Sequence, residues 1–136
     1  MDIEKIDPNA FRTALGQFPT GVTIITTLDD QGNRIGVTAS SFNTVSLDPP
    51  LVLWSIDKAA FSYDCFVNCK HFAIHVLSAE QAELSDLFAQ TGADKFDQIQ
   101  CSTGRANLPI LPDFAACFEC DIEHRYAGGD HTILVG

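Results

Sequence analysis

The sequence predicts a mainly β fold with short helices, arranged as a mixed barrel or sheet. Three observations lead there. Apolar stretches that are β-branched or alternate with polar residues recur along the chain, as in Val22–Thr27 and Ala116–Tyr126. Turn residues such as Asp29-Asp30-Gln31-Gly32-Asn33 and Gly128-Gly129 separate them. Helical patterns are few and short. With 136 residues the chain has length for one domain with a substantial core. Residues 1–136 therefore read as a single domain.

The first element is a short helix. Asp7 suits its cap, Pro8 suits its first turn, and Phe11, Leu15 and Phe18 share one face. It should end before Pro19. Val22–Thr27 is the first strand, and the return arm is expected to run from Arg34 to about Leu47, where Asp48-Pro49-Pro50 stops it. Leu51–Ile56 is almost continuously apolar, as in a strand buried on both faces. A short helix over Phe61–Asn68 should carry Cys65, Phe66 and Cys69 inward, and His71–Leu77 is a strand. Ser78-Ala79-Glu80-Gln81 is a capping-box pattern opening a helix with Leu84, Leu87 and Phe88 as its stripe, and Gly92 is placed to end it. Gly92–Leu111 reads as loop. Ala116–Tyr126 alternates as one half-wet strand, and Thr132–Val135 is the last strand.

Composition excludes several function classes. The formal net charge is −10, so a nucleic-acid backbone or an anionic membrane surface would be repelled. The longest apolar runs are far too short to span a bilayer. The start, Met1-Asp2-Ile3-Glu4-Lys5, lacks a basic stretch followed by an apolar one, so no secretory signal is expected. Five cysteines, an odd number, then point to reduced thiols and a cytoplasmic location.

The familiar nucleotide and hydrolase signatures, Gly-x-Gly-x-x-Gly, the P-loop and Gly-x-Ser-x-Gly, are absent. Cys117-Phe118-Glu119-Cys120 has C-x-x-C spacing, but inside a strand that spacing puts the thiols on opposite faces. Cys65, Cys69, His71 and His75 have zinc-ligand chemistry, yet they also fit the buried side of a helix and a strand, and no metal is expected. The hydroxyl-rich run from Thr38 to Ser46 is the most informative stretch. Its small donors and acceptors lie between apolar strands and suit a flat heteroaromatic ligand with polar edges. Ser55 to Ser62 follows as strand, lysine and helix start, with Lys58 and Ser62 placed as a phosphate cradle. His131 stands between the two-glycine turn and an apolar strand, on a well-fixed backbone.

Several segments together resemble the short flavin reductases of the FMN-binding split-barrel class, the reductase halves of two-component flavin monooxygenases. They are Phe11-Arg12 through Phe18-Pro19-Thr20-Gly21-Val22-Thr23, Gly36–Phe42, Val45–Leu51, Phe72–Leu77, Lys95-Phe96 and Gly128–Ile133. They occur in the family's order over nearly the whole chain. The resemblance implies a split β-barrel and a set of cofactor-binding residues. Thr38, Ala39, Ser40, Ser41 and Phe42 would line the isoalloxazine. Ser55, Lys58 and Ser62 would hold the ribityl-phosphate arm, with Lys95 and Phe96 also at the cofactor. His131 would stand where nicotinamide meets flavin, as the catalytic residue. His75 stands where family members often carry asparagine.

The expected activity is NAD(P)H-dependent reduction of FMN or FAD, with NADH or NADPH as electron donor and reduced flavin passing to a partner oxygenase. The alternatives are an FMN-binding electron-transfer module without efficient nicotinamide oxidation, and a zinc-bound domain resting on the Cys65–His75 cluster. Because the sequence ends at Gly136 as a strand begins, further strands or a partner are expected to complete the barrel. A homodimer is expected for the same reason.

Overall fold

A computed structural model describes residues 5–92 and 94–136. Met1–Glu4, read above for a signal, and Ala93 lie outside the described residues. The elements are α1 (Pro8–Leu15), β1 (Thr23–Leu28), β2 (Arg34–Ala39), β3 (Asn43–Leu47), β4 (Pro50–Asp57), α2 (Tyr63–Asn68), β5 (His71–Val76), α3 (Ala82–Phe88), β6 (Ser102–Thr103), β7 (Pro109–Ile110), β8 (Ala116–Asp121), β9 (His124–Gly128) and β10 (His131–Val135). The fold is mainly β with short helices, as the sequence predicts. Two antiparallel four-stranded sheets, ordered β2-β1-β5-β8 and β3-β4-β10-β9, make up most of it, and β6 pairs with β7 as a two-stranded sheet inside the stretch expected as loop.

The first helix starts as expected, with the Asp7 carboxylate accepting from the Ala10 N–H at 3.2 Å. It ends at Leu15, short of the expected Phe18, and its apolar residues stay open: Phe11 and Leu15 are 53% and 57% exposed, and Phe18 beyond the helix is 73% exposed. In the 3₁₀ turn at Ala79–Gln81 that precedes the third helix, the Gln81 side chain accepts from the Ser78 N–H at 2.8 Å, one half of the expected capping box. That helix stops at Phe88, and Gly92 serves the following bend with φ +67°.

Two expected long strands are each broken in two. The return arm is β2 in the first sheet and β3 in the second, and residues 40–42 carry the chain across. Ala116–Tyr126 likewise divides into β8 and β9, one in each sheet. Side-chain alternation continues through such crossings, so periodicity does not reveal the change of sheet. The strand buried on both faces is β1, not β4 as expected. β1 is buried on both faces, with Ile25 in the core between the sheets and Ile24 in a second cluster with Phe88, Phe96 and Leu111. In β4 only Trp54 and Ile56 are fully buried, and Leu51, Val52 and Leu53 are half-buried. The second sheet depends on the core that Trp54 and Ile56 share with Phe66, Phe72, Ile74 and Leu134. Phe66 alone is the buried residue of α2, while Cys65 and Cys69 are half-buried.

Candidate active site

The crossing between the sheets gathers the hydroxyl-rich segment. Thr38 ends its role in β2 by donating its hydroxyl to the Ser85 carbonyl of α3 at 2.6 Å. Thr23 donates its hydroxyl to the Ala39 carbonyl at 2.7 Å. Ser40 is exposed at the crossing itself. Ser41 then performs a backbone's task with its side chain: its Oγ accepts from the Ser55 N–H at 2.9 Å and donates to the Ser55 carbonyl at 3.0 Å. The β3–β4 ladder ends at Asn43 opposite Leu53, so Ser41 continues it where the two backbones part. Phe42 stacks on Phe118 of β8, with ring centroids 5.5 Å apart.

β4 links this seam to His131. In the β4–β10 register Ile133 stands opposite Ser55 and His131 opposite Asp57. His131 Nδ1 lies 2.7 Å from the Asp130 carboxylate. Hydrogen bonding and charge from His131 hold the Asp130 carboxyl below its usual range, with Lys58 adding a smaller pull. The Lys58 backbone N–H donates to the Asp130 carbonyl at 2.9 Å. Lys58 thus sits with the Asp130–His131 pair.

Beyond Asp57 lies a cavity of about 640 Å³, a size suited to a nucleotide-like ligand. The start of β2, the Asp57–Ser62 segment, the end of α3 and the 94–97 segment enclose it. Of the expected residues it brings together Ser62, Lys95 and Phe96; Lys58 is not in its lining. Ser62 stands at the cap position of α2 with no side-chain cap bond, so its hydroxyl is uncommitted there. Lys95 donates to the Gly36 carbonyl at 3.0 Å and the Phe88 carbonyl at 2.8 Å, fastening α3 to β2. Burial pushes its pKa down. Phe96 is buried, meeting Phe88 edge-on at 5.1 Å.

Three contributors were not singled out from sequence. Gly36 has space for no Cβ, which would collide with the Phe88 ring, so glycine lets α3 close over β2. Arg34 lies over the Phe96 ring at 5.2 Å, and Phe61 is 80% exposed in the cavity lining. No periodic pattern marks these residues; Gly36 alone carried a signal, as part of the Gly36–Phe42 resemblance.

The cysteines have no comparable arrangement. Burial pushes both Cys117 and Cys120 up to about 11, so neither is a ready thiolate. No cluster of metal-ligating side chains occurs among the described residues.

The sequence profile of the flavin reductase like domain matches residues 15–136. The chain belongs to this family. It is 46% identical over 127 residues to the NADH-dependent FMN reductase SmoA of Agrobacterium fabrum, covering 93% of this chain and 72% of SmoA. It is 41% identical to the stachydrine N-demethylase reductase subunit Stc3 of Rhizobium meliloti, covering 100% of this chain and 59% of Stc3. Another Rhizobium meliloti relative is matched over only 44% of its length. The chain therefore spans less than two thirds of several relatives. The solved NADH:FAD oxidoreductase SgcE6 of Streptomyces globisporus superposes with a TM-score of 0.87 at 38% identity, covering 99% of this chain and 83% of that one. None of the described helices is long and apolar enough to cross a membrane.

Proposed function

We propose that this protein is an NAD(P)H:flavin oxidoreductase that reduces FMN or FAD and passes the reduced flavin to an oxygenase. The observation that carries this reading is the family match across residues 15–136, joined to relatives whose names specify NADH with FMN or FAD. Stc3, named as a demethylase reductase subunit, supports a partner component that receives the electrons.

The residues present fit a flavin. The Ser62 hydroxyl is free at the cavity, Ser40 is open at the seam, and the cavity volume of about 640 Å³ suits a large planar ligand. In this reading Thr38 to Phe42 border the isoalloxazine, with Ser41 and Ser55 locked to each other to hold that edge rigid. Ser62 binds the phosphate arm, Lys95 and Phe96 wall its cavity, and Lys58 contributes charge near His131. A bound flavin supplies the hydride acceptor, chemistry that side chains lack. The protein's part is to stack two flat rings and orient them. Asp130 holds the Nδ1 side of His131 and leaves Nε2 for the nicotinamide or flavin edge. The protonated imidazole donates from Nε2; the neutral ring, with its proton on Nδ1 toward Asp130, accepts there.

The reading includes a cytoplasmic homodimer. The open stripe of Phe11, Leu15 and Phe18 supports it, because contiguous exposed apolar surface marks an interaction face. Anaerobic NADH and NADPH oxidation with FMN and with FAD tests the activity. Folded protein that binds flavin without oxidising either nicotinamide returns the reading to an electron-transfer module.

A further inference from the structure

We propose that the cavity between β2 and the end of α3 takes the adenosine-phosphate arm of a dinucleotide, with Phe61 stacking on adenine and Arg34 pairing with a phosphate. This rests on the reductase reading, in which flavin and nicotinamide meet at the seam near His131. Phe61 carries the argument. It is 80% exposed, belongs to neither core cluster, and lines the cavity. An aromatic ring left open at a cavity that also carries polar groups is a stacking platform, because every base presents a π-face.

The charges indicate which part of a nucleotide sits there. Lys95 is engaged by two backbone carbonyls. Arg34 makes no ion pair among the described residues, and Phe96 supports its guanidinium from below at 5.2 Å. It is therefore the cation available to a phosphate. Asp57, Asp94 and Asp97 line the same cavity. Carboxylates repel a run of phosphates but accept hydrogen bonds from ribose hydroxyls. One cation outside any ion pair, three carboxylates and an open aromatic ring match a nucleoside carrying a single nearby phosphate. Both FAD and a nicotinamide dinucleotide contain such an arm, whereas FMN and nicotinamide mononucleotide lack it.

The test measures dissociation constants for 5′-AMP, FAD and FMN, and KM for NADH and reduced nicotinamide mononucleotide. The proteins are wild type, Phe61→Ala, Phe61→Tyr and Arg34→Gln. Phe61 is exposed, so its replacement leaves the core intact. Loss of one base stack weakens AMP binding by roughly 5- to 100-fold in Phe61→Ala, while Phe61→Tyr stays close to wild type. Arg34→Gln weakens the same ligands. A selective loss of FAD over FMN assigns the arm to the flavin; a selective loss of NADH over the mononucleotide assigns it to the electron donor. Equal effects on mono- and dinucleotides, or none, overturn the proposal. The binding measurements need no turnover, so absence of NAD(P)H oxidation would sink the reductase reading while the adenosine subsite is still decided.

Discussion

His75 is fully buried in β5, and its imidazole ties three segments together. Nδ1 lies 3.0 Å from the Ile24 carbonyl of β1, so Nδ1 carries the proton. Nε2 then accepts from the Leu111 N–H at 3.2 Å. The ring is satisfied only when neutral. Burial holds its pKa below the ordinary value, with the Ile24 carbonyl and the Glu119 carboxylate opposing that shift. Substituting His75→Phe keeps an aromatic ring of similar size and removes both bonds. The Leu111 N–H is left buried without its acceptor, costing about 1–3 kcal/mol, and the Ile24 bond adds about 1 kcal/mol. A loss of roughly 2–4 kcal/mol is therefore expected in urea unfolding near neutral pH. The pH dependence has a definite sign. Unfolded histidine gains a proton near pH ~6.5 while the folded one resists, so the unfolded state binds more protons below that point. The stability of the wild type is fully present above about pH 6.5. It falls as pH drops toward the folded pKa, by at most about 1.4 kcal/mol per pH unit. In His75→Phe this component vanishes, and the gap between the two proteins narrows in acid. A destabilisation below about 0.5 kcal/mol, or an unchanged pH slope, would refute the buried neutral imidazole.

Gly36→Ala would drive a Cβ into the buried Phe88 ring, 2.6 Å from its Cδ1, and should cost about 1–3 kcal/mol by thermal unfolding. Ser62→Ala should weaken FMN about tenfold or more and leave riboflavin unchanged, since only FMN brings a charged phosphate to that hydroxyl; flavin fluorescence titration reads both. His131→Ala should lower NAD(P)H-dependent turnover by roughly ten- to a hundredfold while flavin affinity stays within a few-fold; steady-state kinetics and flavin titration separate the two effects. Sedimentation should find a dimer at micromolar concentration, and Phe11→Asp, which charges the open stripe of α1, should shift it toward monomer.

Local elements were legible where one local rule decides them. Asp7 and Pro8 mark a helix start because capping is satisfied within four residues, and the Gln81–Ser78 bond follows the same logic. What stayed hidden depends on distant covering. Val22–Thr27 and Leu51–Ile56 look alike as apolar strands, yet only the first is covered on both faces, by the core between the sheets on one side and by Phe88, Phe96 and Leu111 on the other. The site shows the same division. Ser41 and Ser55 were visible as hydroxyls, and their mutual bonding required knowing that the ladder stops at Asn43. Lys58 and Ser62 lie four positions apart, and the turn at Asp57–Ala60 sends one toward Asp130 and the other into the cavity. Lys95 read as a ligand contact; its two carbonyl bonds show that it fastens α3 to β2.

The seam between the sheets explains why a polar site can exist in so apolar a fold. A strand that stays in one sheet spends its backbone groups on its neighbours, and its inward side chains on the core. Residues 40–42 leave one sheet before joining the next, so their backbone falls outside both ladders. Ser55 would lose its partner on that side of β4, since β10 serves only the other side. The Ser41 hydroxyl supplies both the donor and the acceptor that Ser55 lacks. A single side chain thus closes the gap, and the neighbouring polar groups at Ser40 and Thr38 stay at the surface of the seam or within one bond of it. β4 carries the arrangement onward to His131 on one flank and, through Asp57–Ser62, to the cavity on the other. In the proposed reading, ring chemistry at the seam and nucleotide binding in the cavity are therefore coupled by one rigid strand. A displacement of β4 would disturb both together.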